Sequence, residues 1–120
     1  MPRAIYCKPQ VASFGLTEKK AIEQGISITV GRFPFTASGK AIALGETEGT
    51  VKLVVGDEIG EIIGAHMIGS EVTELLGELS MTKLLEGTST ELGWLVRPHP
   101  TISEIVKEAA LDTMGEAIHI

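Results

Sequence analysis

The stretch that decides the fold is Thr50-Val51-Lys52-Leu53-Val54-Val55-Gly56-Asp57-Glu58-Ile59-Gly60-Glu61-Ile62-Ile63-Gly64-Ala65-His66-Met67-Ile68. Thr50 to Val55 and Glu61 to Ile68 are two β-branched, apolar runs. The five residues between them, Gly56 to Gly60, include types that tolerate turn geometry, so the whole reads as an antiparallel hairpin. On its N-terminal side, Ile26-Ser27-Ile28-Thr29-Val30 alternates apolar and polar side chains at period two, the pattern of a strand with one buried face. Between Gly31 and Gly49 the pattern breaks up around Arg32-Phe33-Pro34-Phe35 and Ser38-Gly39-Lys40. That part reads as loop, with a brief helix or turn at Ala41 to Leu44. Further out, Val11 to Leu16 is a short strand. Thr17 then caps a helix that carries Ala21 and Ile22 inward and stops at Gly25.

On the C-terminal side of the hairpin, Ser70 stands where a helix cap belongs. Glu71 and Glu74 suit the positive end of the helix dipole, and Val72, Leu75, Leu76, Leu79 and Lys83-Leu84 keep helical spacing to an end near Gly87. A short helical stretch spans Glu91 to Leu95. In Val96-Arg97-Pro98-His99-Pro100 two prolines flank a histidine and forbid a continuous helix. From Thr101, the spacing of Ile102, Ile105, Val106, Ala109 and Ala110 predicts a last amphipathic helix. Grouped strands followed by grouped helices argue for an α+β fold, an antiparallel sheet with helices packed on one side, and not for a parallel doubly wound sheet.

Composition narrows the functional classes. With 120 residues, 43% of them hydrophobic, the chain is expected to form a single domain over residues 1–120. The net charge of -6 comes from scattered acidic residues, and Lys and Arg nowhere form a stripe that would track a phosphate backbone, so nucleic acid is not an expected partner. No apolar stretch approaches the roughly 20 residues that cross a bilayer. Met1-Pro2-Arg3-Ala4 has no secretory character, so a soluble, cytoplasmic protein with no membrane partner is expected. Cys7 is the only cysteine, which excludes a disulfide or a redox-active cysteine pair within the chain.

The most informative chemistry lies in His99-Pro100-Thr101-Ile102-Ser103-Glu104. It places an imidazole at a rigid turn and a carboxylate at the start of the following helix. A carboxylate bonded to one ring nitrogen fixes the tautomer and leaves the other nitrogen to exchange protons. Thr101-x-x-Glu104 is equally the spacing of a capping box, in which Glu104 merely folds back on the helix start, and spacing alone favours that reading.

This run resembles the His-Pro-Thr-x-Ser-Glu motif of the flavoprotein pyridine nucleotide-disulfide oxidoreductases, dihydrolipoamide dehydrogenase and glutathione reductase among them. The resemblance covers essentially the whole chain. Tyr6-Cys7-Lys8-Pro9-Gln10-Val11-Ala12-Ser13-Phe14-Gly15-Leu16-Thr17-Glu18 is similar to the segment that opens the C-terminal interface domain of those enzymes. Ser38-Gly39-Lys40-Ala41, Gly64-Ala65-His66-Met67-Ile68-Gly69 with Thr73-Glu74-Leu75-Leu76, and the tail through Ala117-Ile118-His119-Ile120 resemble the lipoamide branch. The tyrosine-bearing run that mercuric reductases carry in place of the histidine is absent.

The resemblance implies a homodimerisation domain of an NAD-dependent dihydrolipoamide dehydrogenase. His99 would be the acid–base partner of redox cysteines in the other subunit, Glu104 would orient it, and the backbone of His99 and Pro100 would lie near the partner's flavin adenine dinucleotide (FAD). It also implies a cis His99-Pro100 bond, and components of a 2-oxo acid dehydrogenase or glycine cleavage complex as further partners. Arg97 departs from the family pattern, which carries a histidine there, and puts the surroundings of His99 in question. No Gly-x-Gly-x-x-Gly follows a strand, so FAD- and NAD-binding domains are expected outside this chain, which by itself should be inactive. The chain would then be an excised piece or a short gene product. Two alternatives stay open: the interface domain of a glutathione-reductase-like enzyme, and a stand-alone dimeric binding module.

Other candidates carry less. His66 reads as a histidine satisfied by hydrogen bonds within a sheet. Cys7, His66, His99 and His119 match no compact zinc pattern, so no metal is expected. Cys7 itself reads as a small buried apolar residue. Gly69 and Gly77 would allow another backbone to approach closely, as a dimer contact or as core packing.

Overall fold

The computed structural model of the chain describes residues 2–118. In chain order the elements are β1 (Arg3–Ile5), β2 (Gln10–Gly15), α1 (Glu18–Glu23), β3 (Ile28–Pro34), a 3-10 turn (Phe35–Ala37), α2 (Gly39–Leu44), β4 (Gly49–Gly56), β5 (Ile62–Gly69), α3 (Val72–Leu84), α4 (Ser89–Trp94) and α5 (Glu104–Asp112). The strands form one sheet in the order β1-β2-β5-β4-β3, and every neighbouring pair is antiparallel. The expected hairpin is its centre, with Thr50 opposite Ile68 and a bulge between Val54 and Val55. This is the α+β architecture anticipated from the pattern.

Because side chains alternate across a pleat, the register sorts the sheet into two faces. Val51, Leu53, Ala65, Met67, Phe33, Ala12 and Phe14 are buried and lie opposite one another on neighbouring strands. They join Val72, Leu75, Leu76 and Leu79 of α3 and Ile105, Val106, Ala109 and Ala110 of α5 in one continuous core. Truncating a fully buried member such as Leu53 to alanine is expected to cost about 2–5 kcal/mol. At Gly31 a side chain would meet the Ala109 carbonyl oxygen at 2.1 Å, so α5 lies directly on the backbone of β3.

The other face carries Lys52 and His66, and the connection from β2 to β3 runs over it. β2 and β3 lie on opposite sides of the central hairpin, so the chain between them must cross the sheet, and it does so through Leu16 and α1. A Cβ on Gly64 would meet the Leu16 carbonyl oxygen at 2.0 Å, which shows how closely the crossing lies. Glu18 of α1 pairs with Arg32 and Lys52 at 3.2 and 3.1 Å. Thus α3 and α5 cover one face and α1 covers part of the second.

Several element ends differ from the sequence pattern. β3 begins at Ile28 and not at Ile26, because the Ile26 N–H donates to the Ala21 carbonyl and belongs to the close of α1. It then runs on through Arg32-Phe33-Pro34, where loop was expected. Phe33 enters the core, Arg32 reaches Glu18, and Pro34 is tolerated because it ends an edge strand. Ala21 is buried as expected but Ile22 is exposed. Ala41 to Leu44 is helical, capped by the Ser38 hydroxyl, which accepts from the Ala41 N–H at 3.2 Å. Ser70 does not cap α3. Glu71 takes the cap position in the left-handed region (φ 62°), and the Gln10 side-chain oxygen accepts from the Thr73 N–H and hydroxyl at 3.2 and 2.7 Å. β2, the strand beside β5 in the sheet, therefore closes this helix end. Gly69 is pressed by the Phe35 ring, which is core packing, whereas a Cβ on Gly77 would meet no atom beyond its own helix turn within 4 Å among the described residues.

Candidate functional site

The segment carrying His99 is pinned on both sides. Before it, Arg97 turns inward, its side chain 4% exposed. It forms an ion pair with Glu78 of α3 and donates from Nη1 to the carbonyls of Leu92 (2.8 Å) and Leu95 (3.1 Å). Its Nε, also buried, finds no hydrogen-bond partner among the described residues. After His99, the Thr101 hydroxyl donates to the Pro98 carbonyl at 2.8 Å and lies 3.0 Å from the Ser103 hydroxyl, and Ile102 is buried in the core. The turn between these anchors holds a cis His99–Pro100 bond, as the resemblance implied.

Glu104 is the first residue of α5, where a carboxylate suits the helix dipole. Its two oxygens lie 3.0 and 3.1 Å from Nδ1 of His99, and the nearer one also accepts the Thr101 N–H at 2.9 Å. One carboxylate thus does both things that the spacing allowed as alternatives. The Thr101 hydroxyl, committed to Pro98 and Ser103, supplies no reciprocal cap, so the box is only half formed. A carboxylate at Nδ1 favours the tautomer with its proton there and leaves the Nε2 lone pair to exchange protons. The imidazole is 77% exposed, presented outward on the turn while Glu104 is half-buried behind it. Such a pair can take a proton from, and return it to, a group brought against this surface.

Beside the pair lies a cavity of about 260 Å³, lined by Ser38, Ile42, His99, Glu104, Ile105 and Glu108 among others. Glu108 was not singled out by the sequence. It is one helical turn beyond Glu104 and 4% exposed, and its Oε2 accepts the Ile118 N–H at 2.9 Å, which ties the chain beyond α5 back to the helix. The available signal was its place on a face otherwise made of Ile105, Ala109 and Leu111.

The remaining candidates lie apart from His99. Nε2 of His66 is 3.0 Å from the Leu16 carbonyl, a histidine satisfied within the fold. Cys7 is exposed, which corrects the buried reading, and its thiol donates to the Pro9 carbonyl at 3.0 Å. It borders a larger cavity of about 600 Å³ with Lys8, Gln10, Glu46, Glu48 and Glu71, which shares no lining residue with that of His99. His119 lies outside the described residues. Among the described residues no three of His, Cys, Asp and Glu come together as metal ligands would. No helix among the described residues is long and apolar enough to cross a membrane.

Residues 1–110 match the family model described as pyridine nucleotide-disulphide oxidoreductase, dimerisation domain. The chain is 53% identical over 119 residues to a dihydrolipoyl dehydrogenase of Rhizobium etli, covering 99% of this chain and 25% of that protein. It is 45% identical to a dihydrolipoyl dehydrogenase of Bacillus subtilis over the same share of each. The chain therefore spans about a quarter of the length of these relatives. Among solved structures it is similar to the HOCl-induced flavoprotein disulfide reductase of Escherichia coli, with TM-score 0.88, 24% identity, and coverage of 92% of this chain and 25% of that one. It is also similar to LpdA of Mycobacterium tuberculosis, with TM-score 0.85, 19% identity, and 92% and 24% coverage. At these identities the structures speak for the fold alone, while the family model and the sequence relatives reach further. The chain belongs to the dimerisation-domain family of the pyridine nucleotide-disulphide oxidoreductases.

Proposed function

We propose that this chain is the dimerisation domain of a dihydrolipoamide dehydrogenase, and that it supplies His99 as the acid–base group to redox cysteines of the partner subunit. The observation that carries the proposal is the outward-facing imidazole, held at Nδ1 by Glu104 on a turn fixed from both sides. Within this chain His99 has no thiol to serve: Cys7 borders a different cavity. The group that His99 acts on must come from another surface, which fits a site completed across a dimer.

The chain's own residues hold and move a proton. Nε2 of His99 takes a proton from a thiol as it becomes a thiolate, and the Glu104 carboxylate stabilises the imidazolium that results. Return of that proton resets the pair. The His99–Pro100 turn is exposed and its backbone would lie near the partner's flavin, but no glycine-rich turn of this chain could cradle a pyrophosphate, so FAD and NAD would be held by other domains. When bound, the flavin supplies the two-electron relay between the cysteine pair and NAD. A 2-oxo acid dehydrogenase or glycine cleavage complex is the assembly such an enzyme would serve.

The test is His99→Ala in the full-length enzyme. Loss of acid–base help is expected to slow dihydrolipoamide oxidation by about 10²- to 10⁴-fold while the flavin stays bound. Turnover close to that of the unchanged enzyme removes the role.

A further inference from the structure

From the register of the sheet we infer that its second face, the one opposite α3 and α5, seats an acidic, amphipathic segment of a partner protein. Arg3 lies opposite Ser13, Ser13 opposite His66, His66 opposite Lys52, and Lys52 opposite Arg32. Residues directly opposite one another share a face, so these five form one row across all five strands, about 19 Å long at the usual strand spacing. No stretch of sequence announces the row, because each strand supplies one member. The five strands contain no Asp or Glu, and every Lys and Arg they contain stands in this row. The chain as a whole has a net charge of -6, carried by its helices and loops, so this face is a basic surface on an acidic protein.

Like charges directly opposite one another on neighbouring strands repel, and the fold answers that repulsion only in part. Glu18 of α1 pairs with both Arg32 and Lys52, so two cations share one carboxylate. Among the described residues no carboxylate lies within ion-pair distance of Arg3, which is exposed. On the side of the row away from the crossing at Gly64, Ile5, Val11 and Ile68 stand opposite one another on the same face, and Ile5 is 58% and Ile68 41% exposed. A cationic row flanked by an exposed aliphatic row is complementary to a segment with carboxylates along one edge and apolar side chains beside them. A helix of about 13 residues would span the row. A nucleic acid matches it less well, because neither row offers Phe, Tyr or Trp for a base to stack on and Glu18 breaks the run of positive charge.

The experiment titrates the 120-residue chain with a fluorescent helical peptide of about 13 residues, Glu along one edge and Leu along the next, and follows anisotropy and the backbone amide shifts of the chain. Saturable binding is expected, with the shifts largest around Ser13, His66 and Lys52 and the affinity falling as salt rises. Arg3→Gln and Lys52→Gln should each raise the dissociation constant about two- to fivefold. Lys107→Gln, the same loss of charge on α5 across the sheet, should leave it unchanged. Glu18→Gln should tighten binding, which separates charge from damage to the fold, since that variant loses two ion pairs and still gains affinity. Absence of saturable binding at millimolar peptide overturns the inference. So does an affinity indifferent to Arg3 and Lys52, a Glu18→Gln variant that binds more weakly, or tighter binding of a single-stranded oligonucleotide of equal charge. Acetylation of the Lys52 amine in the full-length enzyme completes the test. An amine as reactive there as in this chain supports an open docking face, and a protected one overturns it, because a domain of the enzyme itself then covers the row.

Discussion

Thr88-x-x-Glu91 and Thr101-x-x-Glu104 carry the same four-residue pattern, each at the start of a helix, and the molecule uses them differently. At the first, the Thr88 hydroxyl accepts from the Thr90 N–H and the Glu91 carboxylate accepts from the Thr88 N–H and hydroxyl, so the box closes on itself. At the second, Glu104 keeps its bond to the Thr101 N–H but turns its oxygens toward His99, and the Thr101 hydroxyl turns back to Pro98. What separates them is the chain just upstream. Thr88 follows Gly87, while Thr101 follows a proline-flanked histidine whose turn is pinned by Arg97. The spacing specifies a helix start, and the preceding turn decides whether the carboxylate serves only the backbone or a side chain with chemistry.

The anchor of that turn gives the sharpest way to break the contrast. Removing one member of a buried ion pair leaves the other charge desolvated and unpaired, so Arg97→Ala is expected to cost about 3–5 kcal/mol of stability. Chemical denaturation of the chain reads that loss directly. The second box should suffer beyond the loss of stability. With segment 95–98 released, the His99–Glu104 bond is no longer held, and the imidazole resonances should broaden or move at temperatures where the sheet is still intact. If Arg97→Ala costs under about 1 kcal/mol, the anchor is ornamental and the contrast lies in Glu104 alone.

The next largest effect separates the boxes by function. Glu104→Gln keeps an oxygen for the Thr101 N–H but loses the charge that faces His99. In the full-length enzyme it should slow turnover about tenfold, within the range of acid–base assistance, with an altered pH profile and little change in melting. Glu91→Gln, the matching change in the closed box, should leave turnover unchanged. A Glu104→Gln variant that melts earlier but turns over normally would make both boxes simple caps.

Much of this was legible in the sequence because it is local. Thr50–Val55 and Glu61–Ile68 are β-branched, apolar runs joined by a turn-tolerant segment, and Ile102, Ile105, Val106, Ala109 and Ala110 repeat at helical spacing, so the central hairpin and the last helix follow from the pattern, whereas the short edge strand Arg3–Ile5 does not. His99 and Glu104 were legible as a pair for the same reason: five residues separate them. The limits were tertiary. Gln10 caps α3 in place of Ser70, Glu78 claims Arg97, and Asp112 accepts the Arg32 N–H at 2.9 Å on the edge strand, and no local spacing announces any of these partners. Capping and catalysis at Glu104 stood as alternatives in the sequence because each claims the same side chain. A carboxylate has lone pairs enough for both.

Removing the closed box from its own side gives a smaller effect. Thr88→Ala deletes the hydroxyl that caps α4, and is expected to cost about 1 kcal/mol with turnover and the His99–Glu104 bond untouched. Thermal melting of the variant checks this. A loss several times larger would mean that Thr88 is held by more than its box, through its backbone bridge to Glu61, the residue just before β5.

The smallest expected effect is a pH dependence confined to the closed box. The Thr88 hydroxyl, and then its backbone N–H, hold the Glu91 carboxyl below the usual carboxylate range, against a weaker opposing effect of burial. A carboxyl whose pKa is depressed in the folded chain binds its proton less readily there than in the unfolded chain. The stability it contributes is therefore fully present above the unfolded value, about 4.3 for Glu, and is lost as the pH falls through the folded value. Melting curves of the chain and of Glu91→Gln should differ slightly near neutrality and converge on acidification below about pH 4. Asp57, held low in the same way by the hydroxyls of Ser27 and Thr29, loses its contribution in both proteins and cancels from the difference. A gap that persists unchanged into acid would mean that the Glu91 bonds do not depend on its charge, and the closed box would then be held by geometry alone.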